Sequence, residues 1–179
     1  MNFQGKLNFA GGTSLRLVRP SDDEFLLGLF MAARPYLAIS HPDPAFVRFL
    51  YEDQRRINRL GAESRYPEHL EFVIERTGQD IGLLRLDFGY TDWRIAELAL
   101  HPRARAKGIG STILKGLQAV AGEARMTLSL STPSTIGSAA AFFARYGFVT
   151  VPGAEPFSPV LHMVWYPPGR APNVGGVLP

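Results

Sequence analysis

The run Leu98-Ala99-Leu100-His101-Pro102-Arg103-Ala104-Arg105-Ala106-Lys107-Gly108-Ile109-Gly110-Ser111 decides how this chain folds. An apolar strand ends at His101-Pro102, a turn holding Arg105, Gly108 and Gly110 follows, and a helix opens. Ile109, Ile113, Leu114, Leu117 and Val120 recur there at helical spacing. Glycines let a backbone approach another group closely and take conformations that a side chain forbids. The first N–H groups of a helix have no intrahelical partner and lie at the positive end of its dipole, so they can point at phosphate oxygens. Ser111 and Thr112 add hydroxyls to the first turn, and Arg103, Arg105 and Lys107 add positive charge. The run reads as an anion cradle. It is not a P-loop, because no Gly-Lys-Ser/Thr follows the required spacer. It is not the dinucleotide fingerprint, because Gly108-Ile-Gly-Ser-Thr-Ile113 lacks the third glycine and follows antiparallel strands. On these residues alone, a tight turn that merely links strand to helix stays open.

Upstream, Leu15 to Arg19 alternates as a short strand, and Ser21-Asp22-Asp23-Glu24 has the pattern of a capping box. Phe25, Leu26, Leu29, Phe30 and Ala33 then follow at helical spacing up to Pro35. Asp43-Pro44 suits an N-cap and first helical residue for a second helix through Phe46, Val47, Leu50 and Ile57, ending at Gly61. Leu70 to Arg76, Ile81 to Phe88 and Trp93 to Leu100 read as an antiparallel meander with turns at Thr77–Asp80 and Gly89–Asp92. Downstream of the glycine turn, the helix closes at Gly122 and Met126 to Leu130 reads as a buried strand. Ser138 to Tyr146 is a short helix with Gly147 at its C-cap, and Phe148 to Val151 and Leu161 to Tyr166 are closing strands. The order β-α-α-β-β-β-α-β-α-β-β predicts an α+β fold with one mixed, mostly antiparallel sheet and helices on both faces. One domain over 15–167 is expected, with tails at 1–14 and 168–179.

Composition narrows the function. The chain has 179 residues, 46% hydrophobic and 20% charged, and no cysteine. This suits one globular domain and rules out thiolate chemistry and disulfides. No apolar run approaches the roughly 18–20 residues that cross a bilayer, and 1–14 does not read as a secretion signal. A cytoplasmic protein with no membrane partner is expected. The net charge of +3 is spread out; Arg55, Arg56 and Arg59 are interleaved with Glu52 and Asp53 as on a solvated helix face. No nucleic-acid partner is expected. His41, His69, His101 and His162 show no metal-ligand spacing, so no metal site is expected.

Arg105-Ala-Lys-Gly108-Ile-Gly110 resembles the signature of the GNAT superfamily of acetyltransferases, Gln/Arg-x-x-Gly-x-Gly/Ala at a strand-to-helix junction. A second match is Ala139 with Gly147-Phe148, at the end of the family's short helix. The resemblance covers about 15–166 by element order, and its sharp part is 95–148. It implies that Arg105, Ala106, Lys107, Gly108, Ile109, Gly110 and Ser111 hold the pyrophosphate of acetyl-CoA. It also implies that Leu98, Ala99 and Leu100 pair with the pantetheine arm as an added strand would, and that Phe143 lines the cofactor. A backbone N–H near Leu100 would polarise the thioester oxygen. The activity implied is N-acetylation of a primary amine on a small molecule or a peptide.

Two departures touch the chemistry. The family commonly has a tyrosine proton donor four residues before the Gly-Phe glycine, where this chain has Phe143; Tyr146 is the nearby phenol, or simply an aromatic at a helix end. The asparagine often found at the start of the short helix is absent, with Thr135, Ile136 and Gly137 in that region. Glu97 is the candidate base: a carboxylate between apolar neighbours can have a raised pKa and deprotonate an ammonium. It reads equally as an ordinary strand glutamate paired with Arg85 or Arg94. Tyr36, His41, Phe46 and Tyr51 are the side chains to inspect for the acceptor. Phe143 also leaves open a silent acyl-CoA-binding domain. Leu161 to Tyr166 offers a strand for pairing two copies, though nothing in the sequence compels a homodimer.

Overall fold

Thr13, Ser14 and Leu15 are all buried, because the strand they open has a neighbour on either side. In this computed structural model, which describes residues 5–39, 42–66, 68–134, 137–151 and 159–170, β2 (Thr13–Leu17) lies between two antiparallel partners. One is β1 (Lys6–Asn8), paired from Lys6–Arg16 to Asn8–Ser14; the other is β3 (His69–Arg76), paired from Thr13–Arg76 to Leu17–Phe72. β4 (Gln79–Phe88) continues as the hairpin partner of β3, and β5 (Asp92–Leu100), β6 (Thr127–Pro133), β7 (Val149–Val151) and β8 (Val160–Trp165) complete the strands. The order is β1-β2-β3-β4-β5-β6-β8-β7, one mixed sheet of eight strands among the described residues. The β5–β6 pairing is parallel, whereas β6–β8 and β7–β8 are antiparallel. The helices are α1 (Asp23–Ala33), α2 (Pro44–Arg65), α3 (Ile109–Glu123) and α4 (Gly137–Ala144). The α+β class and element order expected from sequence are reproduced, with β1 added inside the stretch expected as a lead-in.

Contacts divide the chain into two units, Met1–Phe88 with Ala96–Ile113, and Gly89–Ile95 with Leu114–Pro179. In the first, Leu27 and Phe30 of α1 pack on Val47 and Tyr51 of α2. Phe30 and Tyr51 meet edge to face at 6.3 Å, and the Tyr51 hydroxyl donates to the Arg34 carbonyl at 2.7 Å. Val73, Ile74 and Leu84 have no exposed surface, and each such side chain contributes roughly 1.5–3 kcal/mol. An ion cluster fastens the start of α1 to the strands. Arg16 donates from Nη1 and Nη2 to Asp22 at 2.7 and 2.9 Å, from Nε to Glu75 at 2.9 Å, and from Nη2 to Asp80 at 3.0 Å. Lys6 also pairs with Glu75. In the second unit Leu128, Leu130, Phe148 and Met163 form the buried centre, and Gln118 Nε2 donates to the Tyr146 carbonyl at 2.7 Å.

Three boundaries differ from expectation. Asp22, not Ser21, caps the approach to α1, accepting from the Arg19 N–H at 2.7 Å; Arg16 holds that carboxylate, so Pro20–Asp22 forms a 3-10 turn and α1 begins at Asp23. α2 runs through Gly61 to Arg65. An exposed mid-helix glycine costs only about 1 kcal/mol, and the Arg59–Glu63 pair spans that turn. α4 stops at Ala144, and Gly147 at φ +79° closes the following turn, with the Phe148 N–H donating to the Phe143 carbonyl at 3.3 Å.

Candidate active site

β5 delivers the first group. Its parallel ladder with β6 runs from Asp92–Thr127 to Ile95–Leu130, and Ala96–Leu100 carry the strand on to His101. Ile81 accepts from the His101 N–H and Gly89 donates to Asp92, each at 2.8 Å. Between those two pairs β5 is one residue longer than β4, as a bulge makes it. Gly82 of β4 is forced by this part of β5: a Cβ there would meet the Ala99 carbonyl oxygen at 2.4 Å and Leu100 Cδ2 at 2.8 Å. An isolated glycine in a strand signals such close approach, and Gly82 carries that signal in the sequence.

Glu97 is half-buried. Burial pushes its carboxyl above the usual range, and the Glu71 carboxylate adds to this, while Arg34, Arg85 and Arg55 pull it back. Arg85 is committed elsewhere, donating from Nη1 to Glu71 at 3.0 Å and from Nε to Asp87 at 3.1 Å. A half-buried carboxyl held toward its neutral form is a proton acceptor that works at a higher pH than an ordinary glutamate.

The turn delivers the second group. A 3-10 turn at Pro102–Ala104 leads into it, with the His101 ring accepting from the Arg103 N–H at 3.3 Å. Arg105 Nε donates back to the Leu100 carbonyl at 2.9 Å, tying the turn to the strand end. Ala106 and Gly108 both have positive φ, 58° and 77°. Alternation of hand in successive residues makes a concave array of N–H groups. The Thr112 N–H reaches the Gly108 carbonyl at 3.0 Å; Ile109, Gly110 and Ser111 precede the first helical bond and have no earlier helical carbonyl to reach. Arg105, Ala106, Lys107 and Gly108 are exposed while Ile109 is buried as the anchor, and a Cβ on Gly108 would meet nothing within 4 Å. An open, donor-lined concavity of this kind fits a pyrophosphate.

The other expected residues lie as follows. Leu98, Ala99 and Leu100 are half-buried along β5. In the second unit Phe143 packs against Phe142 and Phe148 at 5.1 and 5.6 Å. Tyr146 follows α4, 5.2 Å from Phe142, with Lys115 Nζ 6.0 Å from its ring centroid. Tyr51 is a core residue, while Tyr36 and Phe46 are exposed. His41, Thr135 and Ile136 lie outside the described residues. Among the described residues no group of three His, Cys, Asp or Glu is placed to hold a metal ion, and no helix is long and apolar enough to cross a membrane.

Residues 67–150 match the family model of the acetyltransferase (GNAT) domain. The chain is similar to a GNAT acetyltransferase domain over that stretch. Solved structures extend the GNAT fold over most of its length. The PaiA N-acetyltransferase of Thermoplasma acidophilum, in complex with coenzyme A, is 15% identical with a TM-score of 0.61, over 86% of this chain and 98% of that one. An acetyltransferase of Thermus thermophilus is 22% identical with a TM-score of 0.63, over 89% and 99%. The ribosomal-protein-S18-alanine N-acetyltransferase of Escherichia coli is 14% identical with a TM-score of 0.60, over 86% and 93%. No match was found among curated proteins. The matched stretch includes both the glycine turn and Glu97. Of the charged groups that act on Glu97, sequence reasoning reached Arg85 and missed Arg34, Glu71 and Arg55.

Proposed function

We propose that the protein transfers an acetyl group from acetyl-CoA directly to a primary amine of a small molecule or a protein, in the cytoplasm, with Glu97 as base. The observation that carries this is the turn at Arg105–Gly110, where donors of opposite hand and a helix N-terminus converge on open space beside the strand that bears Glu97. Coenzyme A in the Thermoplasma structure supports the choice of cosubstrate, and the ribosomal-protein acetyltransferase supports an amine acceptor.

Acetyl-CoA supplies the thioester carbon. Arg105, Ala106, Lys107, Gly108, Ile109, Gly110 and Ser111 bind its pyrophosphate through backbone N–H groups, and Leu98–Leu100 offer strand backbone to the pantetheine arm. Glu97 takes the proton of the attacking amine. A nitrogen–carbon bond forms as the carbon–sulfur bond breaks, and CoA leaves as a thiolate that takes a proton from solvent. Phe143, which has no proton to give, favours a second reading in which acyl-CoA is bound and not turned over. Release of free CoA against amino acids, peptides, polyamines and aminoglycosides separates the two. Release with at least one amine is expected; tight acetyl-CoA binding with no release on any of them leaves the second reading.

A further inference from the structure

Two cations whose charge acts on Glu97 have unused donors. Arg85 is only 5% exposed. Its Nε and Nη1 engage Asp87 and Glu71, and its Nη2 is buried without a hydrogen-bond partner among the described residues. Arg34 Nη1 is likewise buried and unpartnered. Arg34 is held in place: its guanidinium carbon lies 3.8 Å from the Phe30 ring centroid, and its carbonyl accepts from Tyr51. Both arginines act electrostatically on Glu97. A buried guanidinium N–H left without an acceptor carries its full desolvation cost, which a bound water or an anionic ligand would remove.

We propose that the acceptor is a small amine bearing a carboxylate, of the amino-acid class, and that Arg34 and Arg85 receive that carboxylate while Glu97 receives the proton of the amine. The inference rests on the transfer reading above and names its substrate class. Guanidinium groups match carboxylate oxygens in charge and planar geometry. Glu71 and Asp87 already engage two of the Arg85 donors, and Arg55 is paired to Asp23 at 2.7 Å. A zwitterion enters such a site without adding net charge, whereas a polyamine brings only positive charge and leaves both donors unmet.

The test compares each free amino acid with its C-terminal amide and its decarboxylated amine, as acceptors in CoA release and as ligands titrated calorimetrically into the Glu97→Gln protein saturated with CoA. Affinity or kcat/KM at least about tenfold higher for the carboxylate-bearing member of a series is expected, as for a charge-assisted hydrogen bond lost. Arg34→Gln should abolish that preference through KM with acetyl-CoA affinity kept, and Arg34→Lys should restore part of it. Arg85→Lys serves as the second variant, checked by circular dichroism because its partners are buried. Equal or better use of the amides or amines, no binding of any amino acid by protein that does bind acetyl-CoA, or an unchanged preference in Arg34→Gln would each overturn the assignment. Failure to bind acetyl-CoA at all would instead remove the transfer reading beneath it.

Discussion

In the proposed reaction Glu97 takes the proton of the amine, and its environment would set the pH at which it does so. Burial and Glu71 raise its pKa, so the fraction able to accept a proton grows with pH above the ordinary carboxylate range. kcat/KM is expected to rise along that limb, and Glu97→Gln should lower kcat by about 10²–10⁴, the usual share of a general base, while acetyl-CoA affinity stays near that of the wild type. A pH–rate profile of both proteins checks this; an unaltered limb in the variant removes Glu97 as base. Ala106 offers a second residue-scale test. Its φ of 58° is one that L-residues other than glycine adopt at a cost, roughly 1–2 kcal/mol. Ala106→Gly should therefore raise stability by about 1 kcal/mol in denaturant unfolding; a loss of stability would mean that the turn carries no such strain.

At the scale of elements, β4 and β5 depend on a missing side chain. Gly82→Ala would drive a methyl into the Ala99 carbonyl, and overpacking of this kind costs about 1–3 kcal/mol. The displaced backbone belongs to Leu98–Leu100, so weaker acetyl-CoA binding should accompany the lower unfolding midpoint; an unchanged affinity would show that this stretch of β5 does not contact the cosubstrate. The meander, the glycine turn and α3 are legible in the sequence because period-2 and helical patterns change sharply at His101-Pro102. β1 is not, since Lys6–Asn8 is exposed and has no apolar alternation to report its pairing. The capping of α1 is hidden for a related reason: Asp22 is chosen by Arg16, a partner on another element that local pattern cannot reveal. The same holds for Arg34 and Glu71, whose charges act on Glu97 from the end of α1 and from β3.

For the whole molecule, stability against acid is governed by carboxylates that Arg16 and Lys6 hold below their usual range. The Arg16 guanidinium lowers the pKa of Asp22, and Lys6, then Arg16, lower that of Glu75. Groups with depressed folded pKa contribute stability above their unfolded pKa, near 4, and lose it as pH falls through the folded value. Glu97 has the opposite sign: its contribution is present at low pH and fades as pH rises through its raised folded value. Arg16→Met should cost about 3 kcal/mol at neutral pH and leave a shallower loss of Tm on acidification than in the wild type, as thermal unfolding between pH 3 and 7 would read; parallel curves would contradict the assignment. The sequence marked the turn at Arg105–Gly110 through residue type and spacing, while the charged residues that act on Glu97 lie far apart in the chain and only the folded structure relates them. The central claim is that the turn at Arg105–Gly110 binds acetyl-CoA, and calorimetric titration of acetyl-CoA into the wild type and Gly108→Val tests it most directly. Saturable one-to-one binding by the wild type, lost in a Gly108→Val protein that keeps its circular dichroism, is the expected result. No binding by the wild type at millimolar acetyl-CoA, or equal binding by the variant, would contradict it.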